Sequence, residues 1–453
     1  MLAGKKFIVL GLGDTGLASA FYLVQHGAEV VAFDHQKIPA KGELFAQLLP
    51  NVPLYTERLA DRYWQQADYV LVSPGVPLAN PDIMAFRQKG GSILGDIELF
   101  ARLFSHHVSG KVIAITGSNG KSTVTEWVGH LCRICQCDTV VAGNIGLPIL
   151  KALWDKELQG RMPAYWVLEL SSFQLDVTQS LNADAAVVLN IAEDHLDRYP
   201  DLLHYAASKA HIFNGQGVQV INADDPLCLA MQRKGRVIRQ FSLRQNADYH
   251  VSAGDVLIAD GISLLSTQAL LMLGKHNAAN ALAALALCEA LRLPRAPLLT
   301  GLKTFRGLPH RIERVDQING ITYIDDSKGT NVAATEAALL SMPKKVVLIA
   351  GGAGKMQDFS LLNNALQKVG RAVVLIGEDA QKIHEAIAGL RLPIQHCQTL
   401  EEATWVATNL AKAGDTVLLS PACASFDMFN NYAHRAQVFR DAVSSLKPIC
   451  TTC

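Results

Sequence analysis

The residues with the most chemical promise lie in one stretch, ITGSNGKST at 115–123. An apolar run ends there, a glycine-bounded loop follows, and a lysine with two hydroxyl residues opens a helical pattern. In the loop Gly117, Ser118, Asn119 and Gly120, the glycines permit backbone geometry that turns N–H groups inward, and the helix N-terminus behind them favours negative charge. In such a loop Lys121 reaches the β- and γ-phosphates of a nucleoside triphosphate, and Ser122 or Thr123 can ligate Mg²⁺. The spacing, G-x-x-G-K-S, is shorter than the common G-x-x-x-x-G-K-[ST]. The plainer alternative is an ordinary glycine turn with an exposed lysine.

Three further residues could join this chemistry. Glu169 ends an apolar strand pattern in LELSSFQL, where a carboxylate faces the cleft beyond the carboxyl edge of a sheet. His195 follows the strand pattern AAVVLN. A carboxylate, a histidine and a loop hydroxyl suit a two-metal site for triphosphate oxygens, although each alone is ambiguous. Lys209, in ASKAHI, reads from its residues alone as a solvated helical side chain. A second glycine motif, GLGDTG at 11–16, follows an apolar run and opens a helix, and the next strand ends at Asp34. By itself that is the fingerprint of an NAD(P)-dependent dehydrogenase, but a helix N-terminus with close glycine backbone suits any pyrophosphate.

The elements that must carry these groups alternate along the chain. Strand patterns fall at 7–11, 29–33, 69–73, 111–116, 165–170, 185–190, 218–222, 321–325, 345–350, 372–376 and 415–420, with helices such as 121–135, 276–291, 330–341 and 401–412 between them. Alternation of this kind predicts parallel sheets with crossover helices, an α/β fold. The 453 residues exceed one ordinary domain. Breaks near 100 and at TGLKTFRGLPHR predict three domains, 1–99, 100–306 and 307–453. The chain is 49% apolar and 18% charged, with 41 basic and 41 acidic residues, so no basic field points to nucleic acid. No run of about 18 apolar residues predicts a membrane span. Lys5 and Lys6 before an apolar stretch faintly resemble a signal peptide, but that stretch breaks at Gly11, and a cytoplasmic location is expected. Cys132, Cys135 and Cys137 lack a second cluster to complete a metal site and are expected to be reduced thiols; Cys450 and Cys453 sit in a terminal tail.

TGSNGKS resembles the ATP site of the Mur ligase superfamily, which also holds folylpolyglutamate synthetase. Further segments in family order are GNIG with Asn144, LELSSFQL with Glu169, LNIAEDHLDRY with His195, YAASKAHIF with Lys209, GKHNAANALAA with Asn277 and Asn280, and GLPHR with His310 and Arg311; DDSKGTN at 325–331 and LSPACASFD at 419–427 complete the set. The resemblance spans essentially the whole chain. It implies a Rossmann-like N-terminal domain, a P-loop mononucleotide-binding central domain and a Rossmann-like C-terminal domain. It also implies ATP, two Mg²⁺ ions held by Ser122, Glu169, His195 and Lys209, and a carbamylated Lys209. Lys121, Asn144, His195 and Lys209 become the catalytic set. Asn277, Asn280, Arg311 and Asp326 join the ATP site, the last two from the third domain on closure. The family reaction activates a carboxylate as an acyl phosphate, which an amine then attacks.

GLGDTG becomes, on this resemblance, the handle for a UDP-linked substrate, with Asp14, Thr15, Asp34, His35 and Gly75 around it and Asn144 and His195 at its reacting end. A carboxylate at Asp14 must turn away from a pyrophosphate, and His35-Gln36 departs from the usual Asp-x-Arg. DDSKGTN resembles the D-glutamate-adding branch. That implies attachment of D-glutamate to UDP-N-acetylmuramoyl-L-alanine in peptidoglycan synthesis, by a monomer, with Lys328, Thr330, Lys355, Ser425 and Tyr432 around the amino acid. Gly329 stands where the branch usually has Ala and is expected to loosen the loop; Tyr432 stands where Phe is frequent. The rivals are a folylpolyglutamate synthetase, which lacks a separate N-terminal domain, the dehydrogenase, and a non-enzymatic nucleotide binder, which would not need Glu169, His195, Lys209 and Lys328.

Overall fold

The computed structural model describes residues 2–105, 108–195, 197–272, 274–308, 310–354 and 356–446. The first sheet contains β1 (Lys6–Leu10), β2 (Glu29–Phe33), β3 (Leu54–Tyr55), β4 (Tyr69–Val72) and β5 (Ser92–Leu94) in the order β3-β2-β1-β4-β5, all parallel. Its central strands are apolar on both faces because helices cover both. Phe7, Val9 and Leu71 pack to one side, Ile8, Val31 and Val70 to the other.

The second sheet has nine strands: β6 (Lys111–Thr116), β7 (Thr139–Gly143), β8 (Tyr165–Glu169), β9 (Ala185–Val188), β10 (Val218–Asn222), β11 (Ile238–Ser242), β12 (Tyr249–Val251), β13 (Val256–Ala259) and β14 (Ile262–Ser266). Their order is β14-β13-β12-β11-β10-β9-β6-β8-β7, and only the last two strands in sequence, β13 and β14, join antiparallel. β6 lies between β8 and β9, so successive connections diverge on either side of it. Its carboxyl end is the switch point where ligands bind in such sheets.

The third sheet contains β15 (Glu313–Ile318), β16 (Ile321–Asp325), β17 (Val346–Gly351), β18 (Gly370–Ile376), β19 (Ile394–His396) and β20 (Thr416–Leu419) in the order β15-β16-β20-β17-β18-β19. It is parallel except for the β15–β16 hairpin. That hairpin turns on Asn319 and Gly320, both at positive φ (50° and 78°), as a tight two-residue turn requires.

Two compact units result. One comprises Met1–Ile191, Leu203–Leu270 and Ala279–Phe305 and holds the first two sheets over a shared core; the other comprises Ala192–Leu202, Leu271–Ala278 and Arg306–Cys453 and holds the third. Every strand expected from the sequence is present. The additional ones are short, on sheet edges, or in the β11–β14 extension. Among the described residues no helix is long and apolar enough to cross a membrane.

Within the first unit the helix Asp96–Phe104 leads from the first sheet to the second, and Glu98 anchors it. Its buried carboxylate accepts the N–H groups of Gln179 (2.7 Å) and Ser180 (2.8 Å), the Ser180 hydroxyl (2.8 Å) and Arg102 Nε (2.8 Å). Burial alone would push its pKa up, but these donors hold it below the ordinary value. Glu98→Gln is therefore expected to cost about 1–3 kcal/mol at neutral pH. A depressed carboxylate stabilises above its unfolded pKa and loses that contribution as pH falls through the folded one, so the gap between wild type and variant should narrow as pH falls below the ordinary carboxylate range. Urea unfolding followed downward from pH 7 checks this; a gap that stays constant until the protein acid-unfolds would count against it.

Candidate active site

β6 brings the phosphate loop to the carboxyl edge of the second sheet, with Ile115 registered against Glu169 on β8 and Val187 on β9. Gly117 (φ 152°) and Gly120 (φ 84°) adopt conformations that favour glycine. Contact leaves no room for a side chain either: a Cβ on Gly120 would stand 2.7 Å from Asn280 Oδ1. The helix Lys121–Ile134 starts on Gly120, which offers no capping side chain, and a helix N-terminus of this kind favours an anion. Lys121 Nζ folds back onto the carbonyl oxygens of Gly117 (2.8 Å) and Ser118 (3.0 Å). Ser118 Oγ donates to Tyr205 Oη at 3.3 Å, and Ser122 and Thr123 are buried.

Glu169, 1% exposed, accepts Asn144 Nδ2 on Oε1 at 2.7 Å, while its buried Oε2 has no hydrogen-bond partner among the described residues. A desolvated carboxylate oxygen without a donor is costly, and it is the ligand a hard cation prefers. Lys209 is equally buried, which overturns the solvated reading its residues alone suggest. Its Nζ donates to Thr116 Oγ1 at 3.3 Å and lies 4.6 Å over the Tyr205 ring; Thr116 in turn donates to the Leu170 carbonyl at 2.7 Å. The structure thus gathers residues 116–123, Asn144, Glu169, Lys209 and Asn280 at one edge of the second sheet.

At the first sheet, Gly13 caps the helix Asp14–Gln25 without a side chain. A Cβ on Gly16 would meet the Gly11 carbonyl oxygen, so the loop closes tightly there. Asp14 is turned to solvent and pairs with Lys41 at 2.9 Å. Asp34 is buried, and its two oxygens accept the N–H groups of Leu12 (2.6 Å) and Gln36 (2.8 Å), tying the loop to the end of β2. Thr15 accepts the Ser19 hydroxyl on its carbonyl at 2.7 Å, His35 is exposed, and a Cβ on Gly75 would meet nothing within 4 Å.

The second unit carries the other expected residues. His195, in the left-handed region (φ 56°), places Nε2 3.7 Å from Asp194 Oδ2. Asn277 is buried. Asp326 accepts Ser420 Oγ at 2.6 Å and the Ile312 N–H at 3.3 Å; burial outweighs these and pushes its pKa up to about 7. The Arg311 charge bears on both Asp326 and His276, whose pKa burial lowers to about 4. Lys328 donates its N–H to the His310 carbonyl at 3.2 Å and holds Nζ 5.1 Å over the Tyr432 ring, which also meets the His310 ring edge-on. Thr330 is half-buried and Ser425 buried; Lys355 lies outside the described residues. A Cβ on Gly329 would come 2.6 Å from Asp326 Oδ2 and 2.9 Å from Ser420 Oγ, so glycine also leaves room for their bond. His310, Glu313 and Asp325 cluster closely enough to hold a cation, but Arg440 reaches both carboxylates (2.5 and 3.6 Å).

Two contributors escaped the sequence reading. Asn190, just past β9, bonds the phosphate loop on both sides of Asn119. Arg435, fully buried in the helix Tyr432–Ser445, donates to the Ser327 (2.8 Å) and Cys423 (3.2 Å) carbonyls and so joins the loops after β16 and β20. Asn190 lies within the LNIAEDHLDRY segment, at the end of an apolar strand pattern, but His195 drew the attention there; Arg435 stands in no quoted segment.

Three family models match the chain: Mur ligase MurD-like, N-terminal domain over 5–95; Mur ligase middle domain over 115–288; and Mur ligase, glutamate ligase domain over 310–423. A UDP-N-acetylmuramoylalanine–D-glutamate ligase from Chromobacterium violaceum is 56% identical over 98% of each chain. Another from Thiobacillus denitrificans is 51% identical over 98% of this chain and 97% of its own. Among solved structures, UDP-N-acetylmuramate–alanine ligase from Thermotoga maritima superposes with a TM-score of 0.61 at 21% identity, covering 98% of this chain and 100% of that one. A Mycobacterium tuberculosis folylpolyglutamate synthase complexed with ADP and AMPPCP superposes at 0.57 and 20% identity, covering 76% and 94%. These two share the fold.

The unpartnered oxygen of Glu169 yields a prediction that needs no substrate. Glu169→Gln keeps an acceptor for Asn144 and removes the buried charge, so the ligand-free, metal-free protein should melt about 2–4 °C higher. Calorimetry in chelator decides; a lower melting point would mean the charge is compensated in the native fold.

Proposed function

The chain belongs to the Mur ligase family, and on that premise we propose that it joins D-glutamate to UDP-N-acetylmuramoyl-L-alanine at the expense of ATP, in peptidoglycan synthesis. The observation that carries this reading is the near-full-length identity to ligases named for that reaction. The γ-phosphoryl group of ATP passes to the alanyl carboxylate. The amine of D-glutamate attacks the resulting acyl phosphate, loses a proton and expels phosphate, leaving an amide, ADP and phosphate. A folate-type substrate is the alternative that shares the ATP chemistry; the N-terminal domain match at 5–95 favours the nucleotide-sugar substrate.

We assign residues 1–99 to the UDP-linked substrate, 100–306 to ATP and 307–453 to the amino acid. In the phosphate loop, Lys121 leaves the Gly117 and Ser118 carbonyls and neutralises the transferring phosphoryl group, and the donors at the head of its helix take phosphate oxygens. Glu169 Oε2 fits Mg²⁺ and is aligned by Asn144; Ser122, His195 and Lys209 are the further ligands assigned to two ions. Bound Mg²⁺ supplies charge neutralisation on the phosphates. A carbamylated Lys209 would present oxygens in place of a buried cation, which suits that role. Asn277, Asn280, Arg311 and Asp326 are assigned to ATP. Asn144 and His195 are assigned to the reacting end of the UDP substrate, and Asp14, Thr15, Asp34, His35 and Gly75 to its nucleotide end. Lys328, Thr330, Ser425 and Tyr432 are assigned to D-glutamate, with Lys355 proposed beside them. We place the reaction in the cytoplasm and the enzyme as a monomer.

Phosphate release from ATP should require UDP-N-acetylmuramoyl-L-alanine and D-glutamate together, and a panel of amino acids tests this directly. Robust turnover with L-glutamate or meso-diaminopimelate instead would overturn the assignment. Lys209→Ala should lose at least about 100-fold in kcat and regain part of it with added short-chain carboxylic acids. An unimpaired variant would remove Lys209 from the mechanism.

A further inference from the structure

The strand ladder between β6 and β9 does not stop where the strands stop. Beyond the last registered pair, Thr116 with Val188, the Leu189 N–H donates to the Thr116 carbonyl at 2.9 Å, and the Ser118 N–H donates to the Asn190 carbonyl at 2.9 Å. One step further the backbone of β9 has turned away, and the side chain of Asn190 takes its place. Its Oδ1 accepts the Asn119 N–H at 2.8 Å and its Nδ2 donates to the Asn119 carbonyl at 3.0 Å. A primary amide presents one donor and one acceptor side by side, as a peptide group does, so it can pair with both polar atoms of a single residue. Behind it, Asn222 Nδ2 donates to the Leu189 carbonyl at 2.8 Å and fixes the turn that aims Asn190.

Lys121 ties the loop to itself through the Gly117 and Ser118 carbonyls. An ammonium that engages a phosphate has fewer donors left for those carbonyls. The Asn190 contacts do not involve the lysine.

We propose that Asn190 is the positioning residue of the phosphate loop. It clamps the Asn119 peptide so that the donors from Gly120 onward stay aligned on the nucleotide phosphates once Lys121 has moved. This rests on the reading of the loop as the ATP site.

The test uses the full chain with Asn190→Ala and with Asn190→Leu, which keeps the shape of the amide without its polar atoms. Each removes two neutral hydrogen bonds from the loop, so ADP titrated by calorimetry should bind about 10- to 100-fold more weakly. KM for ATP should rise in step while KM for D-glutamate stays within about twofold. Leu guards against an Ala variant that fails to fold. Wild-type ADP affinity in either folded variant would overturn the clamp. So would an equal rise of both KM values with a lowered melting point, the mark of general destabilisation. If the wild-type protein itself does not bind ADP, the nucleotide reading falls and takes the clamp with it.

Discussion

A loop that offers its backbone N–H groups to a phosphate cannot hold itself together, because those are the groups that would otherwise bond within it. It has to be held from outside, and the second sheet is arranged to do so. β6 is flanked by β8 and β9, so the loop leaving it runs between two fixed strand ends. Leu189 packs against Gly117, Asn280 against Gly120, and Thr116 ties the root of the loop to Leu170. The flanking strand that supports the loop also delivers Glu169, whose position follows from its register with Ile115.

The groups assembled on this frame are expensive to bury. Glu169 and Lys209 in the first unit, and Asp326 and Arg435 in the second, are all at or below about one-twentieth exposed. Isolated charges in such surroundings cost several kcal/mol each. Partners in the fold offset much of that cost: Ser420 on Asp326, backbone carbonyls on Arg435, Arg440 beside Asp325 and Thr116 on Lys209. Among the described residues, Glu169 Oε2 and Arg435 Nε are left without a hydrogen-bond partner. Of the two, the Glu169 oxygen is the one a hard cation would satisfy.

Much of this was legible in the sequence, for reasons that can be named. The phosphate loop, GLGDTG and the central strands are local patterns, in which glycine placement and apolar runs report backbone geometry directly. Asn190 and Arg435 were not legible, because their partners lie 71 and 108 residues away and nothing in their own neighbourhood records that distance. The room that Gly329 leaves was not legible for a related reason. Its meaning depends on the gap between Asp326 and Ser420, which only the fold defines. Lys209 shows the opposite balance: helical position alone suggested solvent, family resemblance pointed inward, and burial followed the latter. The β11–β14 extension consists of strands of three to five residues, too short for periodicity to separate from loop.

The folded-back lysine of the phosphate loop meets any incoming anion already occupied. With Nζ seated on two of the loop's own carbonyls, an incoming anion competes with an internal ligand and does not find a bare cation. A small anion such as inorganic phosphate has only its own charge to set against those carbonyls. A nucleotide brings its charged oxygens together with contacts elsewhere, and so has more to offset their loss. On these terms the resting loop favours ligands that engage more than the lysine, by means of its own backbone.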